Sequence, residues 1–444
     1  MALQRRSGAF SGFLVRLFLV LSAAAVFGMW WLETAPIDSL TPGPSMTAAG
    51  ELTGMLAGVL ICVQILLIAR VPWLERAIGL DRLVTWHRSL GTSVLLLTLT
   101  HVLLIVVGGM MTDQVTLWSE FWTTTLPQSD VLTALIGTVV LILAGLTSAR
   151  AARRHLSYEA WYWLHTSTYV AVYLTFGHQI QAGAHFVGSP VNRFLWTILY
   201  LGTAAAVVVW RVVLPAAGVL RHQIRVDRVI PEAHGVRSVW VRGSHLEELN
   251  TRAGQFFTFR FLCRGHLATA HPYSVSFLPR ENRMRITVGA LGDHSSAVND
   301  LRPGTFVIMQ GPFGRFTSDR ARSRKILLIA GGVGIGPIRT LAQELSEQGR
   351  DVVVIHRGPS GDRLPLSDEL RGHDQISFIP LAGRRHDLGY DPLSAPSIKR
   401  LVPDVSHREV FICGSPGLTE TAVNSLRSLG VATRDIHQEE LSMS

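Results

Sequence analysis

Four histidines occur as two pairs inside apolar segments of membrane length: His87 with His101, and His165 with His178. Taking an ionisable side chain into lipid is costly, so such residues mark functional sites by default. Imidazole is a usual axial ligand of haem iron. Two pairs, spaced 14 and 13 residues apart, therefore predict two haems stacked through a bilayer. The 14-residue step spans about 21 Å and returns near the same helix face, whereas the 13-residue step leaves that face. The second helix needs a local distortion, and Gly177 is the expected place for it. The alternative is four unrelated histidines bonded to neighbouring polar groups, against which stands their matched depth on two helices of one direction. His155 and His185 fit no pair and read as ordinary surface residues.

A second set of motifs lies nearer the C-terminus. His271-Pro272-Tyr273-Ser274 follows Gly254-Gln255-Phe256 and precedes Gly292-Asp293-His294-Ser295-Ser296 and Gly311-Pro312-Phe313-Gly314. A flavin needs an aromatic face for its ring system, a small hydroxyl near its reactive nitrogen and donors for its pyrophosphate. Tyr273 and Ser274 suit the first two roles, and His271, Ser295 and Ser296 the last. Each motif alone could be a turn or a core strand; their order raises the flavin reading.

Farther on, Gly331-Gly332-Val333-Gly334-Ile335-Gly336-Pro337 stands between an apolar strand, Lys325–Ala330, and a helix to about Gln348, with strand Asp351–Ile355 following. Glycines let the backbone approach a pyrophosphate, and a helix N-terminus offers free N–H groups. The run is not the usual dinucleotide fingerprint, so the standard binding mode need not apply. Strand Glu409–Cys413 ends in Cys413-Gly414-Ser415-Pro416-Gly417, a turn of the kind that faces the ligand crevice of an open α/β sheet. Cys413 reads either as an inert buried thiol or as a side chain beside a nicotinamide. With Ser274 it is a candidate for the reacting centre. Arg357 and Arg363 could pair with a 2′-phosphate, which favours NADPH over NADH; solvated loop charge is the alternative.

These motifs need elements to hold them. The chain has 444 residues, 48% of them hydrophobic and 16% charged, too long for one ordinary domain and rich in apolar runs. Charges are scarce before about residue 215 and reach soluble frequencies after it. Six apolar segments, roughly 11–32, 49–69, 87–108, 131–148, 161–181 and 194–214, are near the ~20 residues a membrane span requires. The first ends in Trp30 and Trp31 rather than in a small-residue cleavage site, so it is expected to be retained. Arg70, Arg76, Arg82, Arg88, Arg150, Arg153 and Arg154 crowd two connections, while loops 33–48, 109–130 and 182–192 hold no Lys or Arg. Positive loops stay inside, which puts both termini and everything after residue 215 in the cytoplasm. The net charge is +9, but the basic residues of the apolar half fall in such short loops, a topology pattern that argues against nucleic acid as a partner. Three cysteines are too few for a disulfide framework or a four-cysteine iron–sulfur cluster. The short runs Ile224–Val229, Val236–Val241, Phe256–Phe261, Arg285–Val288 and Phe306–Met309 predict a small antiparallel barrel. The expected plan is a six-helix dihaem bundle over 1–215, an FAD-binding β-barrel over 216–320 and an α/β nucleotide-binding domain over 321–444.

Taken together, the motifs resemble the NADPH oxidase and ferric reductase transmembrane superfamily, joined to a ferredoxin-NADP reductase-type module, over about residues 50–440. The resemblance implies two b-type haems held by His87, His101, His165 and His178 on the third and fifth helices. It implies FAD on His271-Pro272-Tyr273-Ser274, with the Tyr273 ring against the isoalloxazine, and a nicotinamide nucleotide on Gly331–Pro337 and Cys413–Gly417. Two departures stand out. The family often ends in an aromatic residue that shields the flavin, but here the tail runs from His437 to Ser444 without one. Dedicated oxidases place a cationic residue and another imidazole beside the outer haem, where this chain has Ile105 one turn past His101. The expected function is electron transfer from cytoplasmic NAD(P)H, via FAD and the haems, to an acceptor on the outer face. Ferric iron is favoured over dioxygen, with a redox partner protein as a further acceptor. A transporter or channel whose histidines relay protons is the rival from another class. An EF-hand loop is not found in the sequence, so calcium control of that kind within the chain is not expected.

Overall fold

The computed structural model describes residues 2–34, 41–128, 130–149, 155–263, 270–289, 298 and 301–440. The chain divides into two compact units, Met1–Val213 and Leu214–Ser444. The described elements of the first are helices: α1 (Ala2–Thr34), α2 (Pro42–Ile68), α3 (Leu80–Asp113), α4 (Val131–Ser148), α5 (Tyr158–Thr166), α6 (Thr168–Ala182) and α7 (Pro190–Val207), besides shorter turns. Among the described residues four helices are long and apolar enough to cross a membrane: Pro42–Ile68, Arg82–Asp113, Val131–Ser148 and Pro190–His222. Six were expected. Along the first of the two remaining segments the apolar helix is the short stretch Val20–Thr34. The other is helical but interrupted at Ser167, which leaves α5 and α6 each too short. Arg150, Arg153 and Arg154 lie outside the described residues.

The interruption has a local cause. Thr166 Oγ1 donates to Tyr162 O at 2.8 Å, Ser167 Oγ to Leu164 O at 2.7 Å and Thr168 Oγ1 to His165 O at 2.6 Å. Hydroxyls bonded back onto the preceding turn bend helices. The distortion expected at Gly177 therefore sits at Ser167, two residues past His165, and Gly177 is an ordinary helical residue with open space around it.

Helices α2 and α3 pack antiparallel at unusually close range because glycines line their contact. A Cβ on Gly43 would stand 2.4 Å from Thr112 Oγ1, one on Gly50 3.1 Å from Ile105 N, and one on Gly54 2.6 Å from His101 Nδ1. Small residues at such contacts let backbones approach, which is how helices associate where no hydrophobic force drives them. Val26 of α1 is buried, and Trp30 Nε1 donates to Ala48 O at 2.8 Å, tying α1 to α2.

The second unit opens with the helical stretch Leu214–His222 and then forms two sheets. The first is antiparallel: β1 (Arg225–Ala233), β2 (Val236–Arg242), β3 (Phe256–Phe261), β4 (His271–Arg280), β5 (Arg283–Gly289) and β6 (Val307–Phe313), in the order β1-β2-β5-β4-β3-β6. Val226 N donates to Thr305 O and Val307 N to Ile224 O, so the outer strands meet at one end. Phe257, Phe259 and Phe261 are fully buried, the period-two face of a strand against its core. The second sheet is parallel: β7 (Lys325–Gly331), β8 (Asp351–Gly358), β9 (Ile376–Ala382), β10 (Glu409–Gly414) and β11 (Ile436–Glu440), in the order β11-β10-β7-β8-β9. Ile326–Ala330 is buried throughout because a parallel sheet has both faces covered. Helices α8 (Ile335–Glu347) and α9 (Pro416–Ser428) follow β7 and β10.

Candidate functional site

In the helical unit the ring centroids of His87 and His165 are 6.0 Å apart, and those of His101 and His178 are 6.5 Å apart. Imidazole nitrogens bind a metal at about 2.0–2.1 Å, so two rings sharing one metal ion stand with centroids about 6.4 Å apart. The two levels are separated along α3 by about 21 Å of helix rise.

The tautomers suit ligation. His87 Nδ1 lies 2.9 Å from Gln64 O, and His101 Nδ1 lies 2.8 Å from Gly50 O. A carbonyl only accepts, so each Nδ1 carries the proton and each neutral ring keeps its lone pair on Nε2. His165 reaches the same state through Ser148. That hydroxyl donates to Ala144 O at 2.6 Å, so it must accept both from Trp161 Nε1 at 3.1 Å and from His165 Nδ1 at 3.3 Å. Trp161 also stacks on the His165 ring, 5.1 Å between centroids. His178 Nδ1 is buried without a hydrogen-bond partner. Among the described residues no group of three or more His, Cys, Asp or Glu could hold a bare metal ion.

His185, expected on the surface, is buried, with Nε2 3.0 Å from Glu51 Oε2. The two lie 134 residues apart in the chain, so no spacing could reveal the pair. Glu51 directly follows Gly50, the carbonyl partner of His101. His155 is exposed.

In the second unit, His271, Tyr273 and Ser274 are half-buried and Pro272 exposed at the start of β4, with Tyr273 opposite Phe257 and Ser274 opposite Phe256. Burial pushes the Tyr273 phenol up to about 12, so it stays neutral. Ser295, Ser296 and the Gly292-Asp293-His294 stretch before them lie outside the described residues. Beyond Ser274 the strand is fastened to α8. Thr340 Oγ1 lies 3.4 Å from Val275 O and accepts from Gly254 N at 3.2 Å, and Arg339 Nη1 donates to Ser276 O at 3.3 Å. Glu369 takes Arg285 Nη1 at 2.5 Å and Arg339 Nε at 2.8 Å. Burial raises the Glu369 carboxyl, but the hydrogen bond and charge of Arg285, helped by Arg339, outweigh it and hold the group below its usual range. The flavin-type motif and the glycine run are thus braced against each other through β4 and α8.

The glycine run and the Cys413 turn meet where the parallel sheet reverses its winding. From β7 the chain adds β8 and β9 on one side, then β10 and β11 on the other, and the crevice at such a reversal is where open α/β sheets bind ligands. A Cβ on Gly331 would stand 3.4 Å from Gly414 Cα, and one on Gly334 only 2.3 Å from Cys413 O. Gly332, at φ +54°, has open space where a Cβ would project. Val333 belongs to the single turn Gly332–Gly334, and Gly336 and Pro337 are buried in the first turn of α8.

The Cys413 thiol is fully buried in the core with Ile326, Leu328 and Phe411, and burial pushes its pKa up. A reactive role would need an ionisable, reachable thiol, which this burial does not provide. Arg357 stands opposite Gly331 and donates to Leu381 O at 3.1 Å and to Gly358 O. Arg363 falls in the turn Gly361–Arg363, and its side chain is outside the described residues. Sequence reasoning passed over His356, a buried imidazole in the apolar run of β8 with Nε2 3.1 Å from Gly332 O. Burial lowers it to about 4, so it is neutral. The tail, read for its missing aromatic, contains strand β11, which pairs Glu439 with Cys413 and Glu440 with Gly414.

Residues 53–176 match the family of ferric reductase like transmembrane components. The matched stretch contains His87, His101 and His165, and ends two residues before His178. The flavohemoprotein of Bacillus subtilis is 27% identical over 203 residues, 42% of this chain and 51% of that protein. The flavohemoprotein of Candida albicans is 29% identical over 145 residues, 31% of this chain and 36% of that one. Among solved structures, the flavohem-like FAD/NAD binding domain of nitric oxide dioxygenase from Vibrio cholerae superposes with a TM-score of 0.42 at 19% identity. It covers 50% of this chain and 99% of its own. The chain spans between about a third and a half of the length of the two curated relatives named. The family match and the flavohemoprotein relatives bear out the combination read from the motifs, a ferric reductase-like membrane component with a flavin- and nicotinamide-binding reductase module.

Proposed function

We propose that the chain is a multi-pass cell-membrane oxidoreductase. In this reading it moves electrons from cytoplasmic NAD(P)H, through FAD and two b-type haems, to an acceptor on the outer face, ferric iron presented as a chelate. The observation that carries the reading is the facing of two imidazole pairs, 6.0 and 6.5 Å apart, with Nδ1 of three rings engaged elsewhere.

His87 and His165 would hold one haem, and His101 and His178 the other. Bound there, haem iron supplies a one-electron carrier inside lipid. The carbonyls of Gln64 and Gly50 fix ring orientation and make the ligating nitrogens more basic. His271, Pro272, Tyr273 and Ser274 would line the flavin, with Ser295 and Ser296 at its pyrophosphate. FAD supplies the exchange between hydride and single electrons. Gly331–Pro337 and Gly414 would admit the nucleotide at the sheet reversal, with the N-terminus of α8 opposing its phosphate charge. Arg357 and Arg363 would take a 2′-phosphate, which favours NADPH. The clamp of Arg285, Arg339 and Glu369 keeps the two sites in register.

Reduction of dioxygen is the second reading, and the part-buried His185–Glu51 pair beside the Gly50 carbonyl favours it. An acid–imidazole pair can donate the protons that reduced oxygen takes up. Replacing His101 by Leu tests the relay. Reduction of external ferric chelate, or of oxygen, should fall by more than about 100-fold, while nucleotide-driven bleaching of the flavin persists. Unimpaired external reduction would count against the whole reading; parallel assays with ferric citrate and oxygen on the parent protein decide between the acceptors.

A further inference from the structure

The glycine run turns on a peptide that its own residues leave loosely specified. Gly332 stands at φ +54° with open space where a Cβ would project. Glycine occupies both signs of φ about equally, so no side chain there fixes the plane of the peptide between Gly332 and Val333. In a trans peptide the carbonyl of one residue and the N–H of the next point in opposite directions. Whichever way Gly332 O turns, Val333 N–H faces the other.

Two donors set that carbonyl. Ile335 N donates to Gly332 O and closes the turn, and His356 Nε2 lies 3.1 Å from the same oxygen. A carbonyl only accepts, so Nε2 carries the ring proton. The imidazole is fully buried, in β8 beside Ala330. Its Nδ1 lies 3.4 Å from Ser367 Oγ, which donates its own proton to Leu364 O at 2.8 Å. Burying a polar ring is costly unless it is hydrogen-bonded, and bulk alone would be supplied by an aliphatic side chain, as at Val352, Val353, Val354 and Ile355 of the same strand. Gly332 and Val333 are half-buried. The carbonyl is therefore drawn inward to a buried donor, and Val333 N–H projects away from that donor in the turn that opens α8. The first N–H groups of a helical turn have no acceptor within it, and such groups take up phosphate oxygens.

We infer that His356 is a positioning residue for the nucleotide: by holding Gly332 O inward it aims Val333 N–H at the pyrophosphate. The inference rests on the reading of the glycine run as a nucleotide site and is independent of any electron acceptor.

Steady-state oxidation of NADPH by the full-length protein in detergent, with a soluble dye as acceptor, tests it. His356→Leu keeps the bulk and removes the donor; KM should rise roughly 10-fold, with kcat and flavin content at parent values. In His356→Gln the amide nitrogen reaches the place of Nε2, which should bring KM back to within about threefold of the parent. Should the Leu protein lose flavin or melt below the parent, His356→Phe, closer in shape and equally without a donor, carries the test with the same expectation. Flavin loss in both would assign His356 to packing and overturn the proposal. A parent KM in the donor-free variants, a fall in kcat alone, or a raised KM that Gln does not lower would each overturn it too. Nucleotide-driven bleaching of the parent flavin keeps two failures apart. Its absence removes the nucleotide reading; its presence with an unchanged KM in the variants removes only the role of His356.

Discussion

Substituting Gly54 by alanine asks whether His101 is positioned by helix α2. A Cβ at that position would lie 2.6 Å from His101 Nδ1, 2.9 Å from Cε1 and 3.1 Å from Cγ. Non-bonded carbon and nitrogen atoms settle at about 3.5 Å, so the ring must withdraw by roughly 0.9 Å. It is now held by the 2.8 Å bond to Gly50 O, and a stretch to about 3.7 Å ends that bond. Loss of a buried hydrogen bond costs about 1–3 kcal/mol. Loss of the partner of a ligating imidazole typically weakens metal binding about 10–100-fold. The two figures agree, since about 1.4 kcal/mol is a factor of ten. Pyridine haemochrome assay should therefore find about half the parent haem per protein, with external ferric reduction lowered and nucleotide-driven reduction of a soluble dye unchanged. Gly177→Ala, where a Cβ meets nothing within 4 Å, is the control and should match the parent. Full haem content and full external rate in the Gly54→Ala protein would refute the positioning argument, as would equal loss in the control.

Gly334→Ala would drive a Cβ to 2.3 Å from Cys413 O, backbone that cannot yield cheaply. KM for NAD(P)H should rise roughly 10–100-fold with flavin content retained. Gly336→Ala, whose Cβ would meet Ser276 at an ordinary 3.5 Å, should leave KM near the parent value; equal effects would dismiss the close-approach argument. His356 gives a pH test. Its folded pKa of about 4 lies below the ordinary imidazole value of 6.5, so the unfolded chain takes up a proton that the folded chain refuses. Stability should fall as pH drops from about 6.5 to about 4 and then level off, by about 3 kcal/mol in all. Thermal melts of His356→Gln across that window should show a flatter slope, and an unchanged slope would remove His356 as its source.

The elements that sequence alone revealed are those buried on both faces or strictly alternating. Lys325–Ala330, Asp351–Ile355 and Glu409–Cys413 read as apolar runs because β7, β8 and β10 are interior strands. In that sheet the two strands it did not reveal, β9 and β11, are the edges; in the other sheet it read β4 only as a motif, not as a strand. Edge strands tolerate Pro380 and the polar run His437–Glu440 because one side of the ladder has no partner to satisfy.

Local composition also placed the four histidines in two apolar segments and the glycine run between strand and helix, and set the division between apolar and charged halves. Each depends on residues within a turn or two of one another. Matched depth on two helices of one direction already paired His87 with His165 and His101 with His178; tertiary structure alone set their ring separations of 6.0 and 6.5 Å and the room that Gly54 makes for the His101 ring. It also paired His185 with Glu51 and sealed the Cys413 thiol in the core. Those outcomes depend on which helices and strands become neighbours across many tens of residues, and a hydrophobic period reports how deeply a side chain is buried, never against what.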